Sequence, residues 1–228
     1  MTTLIGIVAG KGNPSVVLAS DLQGTSEEWE ERGDYAIRRQ ERSEHQKIHI
    51  NDANDLAVCM TGTADGPYRG FLFDLLHGKH DFREAIKASK FEPLARLNYD
   101  RFGGRTWDNN HTNTLFVATR YDNKPQLWKC WPLGKIDEMY MAAEGSGSKH
   151  ATNYLRELNY LCSRDIDAGN AVDATVGALK VASRDLYTTG MDIVVVRGED
   201  ILRFGDLIKN SIRKAEENAI DNIKSQLK

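Results

Sequence analysis

With 228 residues, 40% of them hydrophobic and 28% charged, the chain falls in the globular range and outside the collagen-like, low-complexity and disordered ones. A domain of that size buries roughly 70% of the surface its unfolded chain exposes, so it needs no staples to fold. The 30 basic and 33 acidic residues leave a formal charge of -3. That argues against a general binder of nucleic acid, whose phosphates demand clustered lysine and arginine.

In chain order, the β-branched apolar run Leu4 to Ala9 predicts a strand, ended by the Gly10–Pro14 cluster, and Val16 to Asp21 predicts its hairpin partner. Lys47 to Ile50 and Leu56 to Met60 read as a second pair around the turn-rich Asn51–Asn54. Residues 68 to 100 carry helical spacing, with Gly78 as a break. A third strand pair, Thr114 to Thr119 and Gln126 to Trp131, turns at Tyr121–Lys124; Met139 to Ala143 is a further strand. Helices are expected over 148 to 162 and 168 to 187, then a hairpin of Asp192 to Arg197 and Ile201 to Phe204. The stripe Leu207, Ile208, Ile212, Ala215, Ala219, Ile223 and Leu227 predicts a closing helix over 206 to 228. Blocks of strands alternating with blocks of helices indicate an α+β fold, antiparallel sheets with helices on their outer faces. No linker or repeat divides the chain, so residues 1–228 are expected to form one domain.

The segment from 26 to 46 stands apart, acidic first and basic later. It reads as a solvated excursion between two strands, or as a contact surface for a neighbouring subunit anchored by Trp29 and Tyr35. Cys59, Cys130 and Cys162 are odd in number and form no CxxC pair, which speaks against a disulfide framework or structural zinc and for a reducing compartment. No apolar run is long enough to span a bilayer and the N-terminus has no secretory pattern, so a cytoplasmic protein is expected.

Chemistry is suggested first at Thr2. With Met1 removed, Thr2 would carry a free α-amine and a hydroxyl on one residue. An α-amine titrates at about 7.7 to 8.0 and can take the hydroxyl proton as that oxygen attacks a carbonyl. Asp21 closes one strand and Lys47 opens another, so the two could pair beside the N-terminus, at the mouths of adjacent strands. Gly62, at the end of the Leu56 to Met60 strand, has the freedom an oxyanion-donating N–H requires. Gly145–Ser148 and Arg184–Gly190 supply hydroxyls and a carboxylate that could hold the free amine.

The order TTLIGIV, VVLASD with Gly24-Thr25, QKIHI, MTGTADG, EGSGS and RDLYTTG resembles proteasome β-type subunits and their bacterial relative, the HslV peptidase. The likeness runs from Thr2 to about Phe204. It implies a four-layer αββα sandwich of the N-terminal-nucleophile hydrolase class and a threonine endopeptidase working inside a self-compartmentalised ring. By the same resemblance Thr2 is the nucleophile and its amine the general base, and Asp21 and Lys47 are the supporting charges. Ser146, Asp185 and Thr188 position the amine and its water, and Gly62 is the oxyanion-hole glycine. Thr25 pairs through its backbone with an extended substrate, and Met60 lies at the floor of the specificity pocket with Gly24, His49 and Ala64 nearby, which favours an apolar or flexible pocket over a charged one. No cofactor or metal is implied. The implied partners are peptides or unfolded proteins, copies of the chain in a ring, and proteasome α-type subunits or an unfolding ATPase, with neither nucleic acid nor membrane.

The sequence departs from the family at Gln23, where arginine is usual, at Thr188 in place of serine, and at Thr189-Gly190 in place of a glycine pair. Its 26 to 46 segment is also longer, and its first hairpin extended. Only Met1 precedes Thr2, so exposure of the nucleophile is expected from a methionine aminopeptidase, not from cleavage of a propeptide. His77 and His80 form an HxxH without a third ligand, which favours solvent-facing histidines over a metal site. His111 reads as a loop residue, and Gly145–Ser148 lacks the Lys-Ser/Thr of a phosphate loop. Two other functions share the same residues: a β-type ring subunit that assembles without cleaving, and a stand-alone amidase or peptide ligase using the same acyl-enzyme.

Overall fold

The computed structural model describes residues 3–32, 35–44, 46–61, 67–79, 81–87, 114–131, 136–158, 165–182 and 191–204. The helix expected over 206 to 228 lies outside them, as do 88–100, 159–162 and 183–187 of the other expected helices.

Two five-stranded antiparallel sheets carry the fold. The first has the order β10-β1-β2-β11-β12, built from β1 (Thr3–Ala9), β2 (Ser15–Asp21), β10 (Met141–Gly145), β11 (Met191–Arg197) and β12 (Ile201–Arg203). The second has the order β5-β6-β7-β8-β9, from β5 (Ile48–Ile50), β6 (Leu56–Thr61), β7 (Thr114–Thr119), β8 (Gln126–Cys130) and β9 (Ile136–Met139). The hairpins expected at β1–β2, β5–β6, β7–β8 and β11–β12 all pair antiparallel.

Strands that are apolar on both faces need covering on both, and three apolar layers do this. On the outside of the first sheet, Ile5, Ile7, Val17, Ala19, Ile193 and Val195 meet α3 (Ser148–Glu157) and α4 (Ala168–Ala182). The helices contribute mainly alanines (Ala151, Ala171, Ala174, Ala178, Ala182), and such small side chains let a helix sit close to a sheet. Between the sheets, Leu4, Val16, Leu18, Val194 and Val196 oppose Ile48, Ala57, Cys59, Phe116, Ala118 and Leu127. Outside the second sheet, Leu56, Val58, Leu115 and Val117 pack on Leu75 of α1 (Pro67–Leu76) and Phe82 of α2 (Phe82–Lys87). The result is the αββα sandwich. Gly78 separates α1 from α2 at φ +68, a left-handed conformation that glycine adopts without penalty.

Two expectations are corrected. In its described residues the excursion over 26 to 46 is strand, not irregular loop: β3 (Gln23–Arg32) and β4 (Tyr35–Glu44) form a long hairpin that is a sheet of its own. Its register sets the acidic strand against the basic one, Glu28 opposite Arg39 and Glu27 opposite Gln40. Without apolar alternation, a strand of this kind escapes any reading based on hydrophobic period. Second, Met139 to Ala143 is not one strand. The chain leaves the second sheet after Met139 and enters the first at Met141, so the intervening Tyr140 is the crossing point. Its carbonyl accepts from the Val8 N–H at 2.8 Å, which ties the crossing to β1.

Candidate active site

β1 begins between β2 and β10, so its first described residue, Thr3, is held from both sides. Thr3 lies opposite Gly145, and Leu4 lies opposite both Glu144 and Ser20. The Thr3 backbone N–H, which belongs to the peptide joining it to Thr2, donates to Asp21 Oδ2. The Thr3 hydroxyl accepts from the Gly147 N–H at 3.2 Å. Residue 3 is therefore fixed through its main chain and its side chain together.

The other Asp21 oxygen accepts from the Lys47 ammonium. The side chains of Asp21 and Lys47 are only 3% and 11% exposed, so this is a buried ion pair. Burial holds the Lys47 pKa below the ordinary lysine value, against the opposing pull of the Asp21 carboxylate. The strands concerned are not neighbours in a sheet as the sequence reading had them. Asp21 ends β2 in the first sheet and Lys47 precedes β5 in the second, so the pair bridges the two sheets.

Two further charge contacts lie at this end. Lys129 on β8 reaches across to Glu144 on β10, with its ammonium 3.4 Å from the centre of the Trp131 ring. Asp192 on β11 lies 3.4 Å from Arg203 on β12, whose guanidinium donates to the Ile48 carbonyl. Partial desolvation, then Arg203, hold the neighbouring His49 below the ordinary histidine value.

Of the residues singled out from sequence, the structure brings together Asp21 and Lys47. Ser146 is exposed in the turn after β10, one residue beyond Gly145 at φ +99. Met60, near the end of β6, is half-buried against the outer apolar layer of the second sheet. Gly24 and Thr25 fall on β3, opposite Ser43 and Arg42. Thr2, Gly62, Asp185 and Thr188 lie outside the described residues. Among the described residues no group of three or more His, Cys, Asp or Glu could hold a metal ion, and no helix is long and apolar enough to cross a membrane.

Sequence reading missed Thr3 and Gly147. The GSGS motif drew notice for its hydroxyls, whereas its described contribution is a glycine N–H. The available signal was Thr3 itself, a polar residue opening a strand whose next positions are apolar.

Residues 103–197 match the family model of proteasome subunits. The matched stretch takes in Ser146, Asp185 and Thr188 and stops short of Thr2, Asp21 and Lys47. No curated protein matches the chain. Joined to the αββα architecture, this match over part of the chain supports the likeness to proteasome subunits carried by the six motifs.

Proposed function

We propose that the protein is a threonine-type endopeptidase, with Thr2 as nucleophile once Met1 has been removed. The Thr2 hydroxyl attacks a peptide carbonyl and passes its proton to the Thr2 α-amine, while the Gly62 N–H stabilises the oxyanion. Collapse expels the leaving amine, which takes the proton back from the α-ammonium, and leaves an ester on Thr2. Water, deprotonated by the same amine, cleaves the ester and regenerates the hydroxyl. Asp21 keeps Lys47 charged, and the ammonium favours the ionised oxygen and the unprotonated amine. Ser146, Asp185 and Thr188 hold the amine and the water. Thr25 pairs with an extended substrate, and Gly24 and Met60 line its pocket.

One observation carries this reading. The Asp21 carboxylate bridges the peptide N–H that follows Thr2 and a buried lysine ammonium. A buried ion pair is a poor stability device, since desolvation offsets much of the attraction. One that also grips the chain start sits where an N-terminal nucleophile would need a fixed cation. The substrates would be peptides or unfolded proteins, handled within a homo-oligomeric ring in the cytoplasm, with α-type subunits or an ATPase as further partners.

Intact-mass spectrometry before and after an electrophile that esterifies N-terminal threonine tests this directly. We expect a mass lacking Met1, one adduct per chain on Thr2, and loss of both adduct and peptide cleavage in Thr2→Ala with the fold retained. Cleavage at the wild-type rate in Thr2→Ala refutes the assignment. Retained Met1 would instead mark a ring subunit without peptidase activity, because an acylated amine is no base.

A further inference from the structure

We infer that Arg203, held by Asp192, is a positioning residue that sets Lys47 against Asp21 across the two sheets. The inference rests on the peptidase reading for its kinetic consequence, but not for its geometry.

Asp21 and Lys47 belong to different sheets. Within a sheet, register is fixed by the hydrogen-bond ladder. Between stacked sheets about 10 Å apart there is no such ladder, and away from the chain crossing at Tyr140 only side chains connect. Apolar packing is non-directional, so Leu18, Val194, Ile48 and Phe116 hold the sheets together without dictating their relative displacement to within a hydrogen bond. The strand next to Lys47 is also weakly constrained. β5 has three residues and occupies an edge, paired on one side with β6.

Lys129 and Glu144 make one directional tie between the sheets, at β8 and β10, and Arg203 supplies a second, beside Lys47. Its position on β12 is opposite Val194, two residues from Asp192 on β11. Asp192 is in turn opposite Ser20, the neighbour of Asp21. The Asp192 side chain is 2% exposed, and one oxygen lies 3.4 Å from Arg203 Nε. From there the guanidinium Nη2 donates to the main-chain carbonyl of Ile48, the residue after Lys47. A guanidinium is a rigid planar fork of five donors, so its Nε can face one acceptor while a terminal nitrogen holds another at a set distance. The contacts run β2, β11, Asp192, Arg203, Ile48, Lys47 and back to Asp21, a closed circuit with the ion pair as its last link. A lysine at 203 would keep the charge but offer a single nitrogen in place of the fork.

The test uses Arg203→Lys in the full chain, with three readouts. The first is kcat and KM on a fluorogenic peptide. The second is the rate at which acetic anhydride labels Lys47, followed by peptide mass spectrometry, and the third is the melting temperature. We expect kcat to fall roughly tenfold to a hundredfold, as for a displacement on the order of 1 Å, with KM within about twofold. Lys47, released from Asp21, should label roughly tenfold faster, following the lost pairing. Should Arg203→Lys fail to fold, the uncharged double variant Asp192→Asn with Arg203→Gln removes both charges of the pair and is held to the same expectations. Labelling of Lys47 at the wild-type rate overturns the proposal, as does faster labelling in an enzyme whose kcat is unchanged. A lower melting temperature with both kcat and labelling unchanged would reduce Arg203 to a structural tie. If wild-type protein cleaves no peptide and takes no threonine-directed electrophile, the peptidase reading fails alone, and Lys47 labelling still decides the tie.

Discussion

Gly147→Ala separates the placement of the chain start from general stability. Gly147 is buried at φ -90, a backbone that alanine adopts freely, so the added methyl matters only through the space it needs. A Cβ there would lie 2.6 Å from Thr3 Oγ1 and 2.7 Å from Ala182 Cβ. Carbon contacts settle near 3.5 to 4.0 Å, so the neighbours must give by about 1 Å. Ala182 cannot rotate away, because its Cβ moves only with the buried backbone of α4, whose Ala182 Cα would be 3.3 Å off. Residue 147 must therefore back away from Ala182 and Thr3 must give with it, which breaks the Gly147 N–H bond to the Thr3 hydroxyl.

Overpacking of this kind costs roughly 1 to 3 kcal/mol, which for a chain of this length lowers Tm by about 2 to 12 °C. Displacing residue 3 by about 1 Å should cost kcat on the order of a hundredfold. The control is Gly177→Ala in α4, whose Cβ would meet Tyr154 Cζ at 2.6 Å. It loads the same helix–sheet layer, but its obstacle is the far end of a side chain in α3, and alanine returns roughly 1 kcal/mol of helix propensity. Measured as kcat per titrated active site beside a thermal melt, Gly177→Ala should keep kcat while Gly147→Ala loses it. A Gly147→Ala protein that melts lower yet turns over at the wild-type rate would refute the link from Thr3 to the nucleophile.

The kcat/KM profile should be bell-shaped. It rises as the α-amine loses its proton near pH 8 and falls as Lys47 loses its own, at a pH below that of a free lysine because burial lowers it. Lys47→Arg should abolish the alkaline limb, and an unchanged limb would remove Lys47 from that role. Stability should run the other way in the same window: the unfolded lysine still holds a proton that the folded one has released, so the Lys47 contribution grows with pH between its folded and unfolded values. Comparison of Lys47→Met with wild type by urea melts from pH 8 to 10 reads that sign. Burial raises the thiol pKa of both Cys59 and Cys130 well above the usual cysteine range. Neither should be alkylated by iodoacetamide in native protein at pH 8, and both should be in urea, as peptide mapping would show.

Most of the sandwich was legible because its strands are buried on both faces and so stand out as apolar runs cut by turns, Leu4 to Ala9 and Thr114 to Thr119 among them. The β9–β10 crossing was not, because Met139 to Ala143 is continuously suited to a strand and nothing local says that Tyr140 changes sheets. The β3–β4 hairpin was hidden for the opposite reason, its strands being charged with no apolar period to find. At the site, Asp21 and Lys47 could be matched as two opposite charges at strand ends. Thr3 and Gly147 could not, since a main-chain N–H leaves no trace in residue types. Arg203 was harder still: it meets Ile48 across 155 positions, and sequence carries no register between stacked sheets.

The distribution of charge gives an independent reason to place chemistry where β1 begins. Asp21, Glu144 and Asp192 all stand at that end of the first sheet, each beside a cation, Lys47, Lys129 and Arg203 respectively. Taken only as glue, three such contacts are a poor choice, because apolar side chains of equal volume usually stabilise as well or better. At the other end of the same sheet the described ion pair is Arg197 with Asp200, more than a third exposed on both sides and close to solvent. Stability alone gives no reason for such an asymmetry between two ends built from the same strands. A site that must hold a buried ammonium in one place beside Thr3 does.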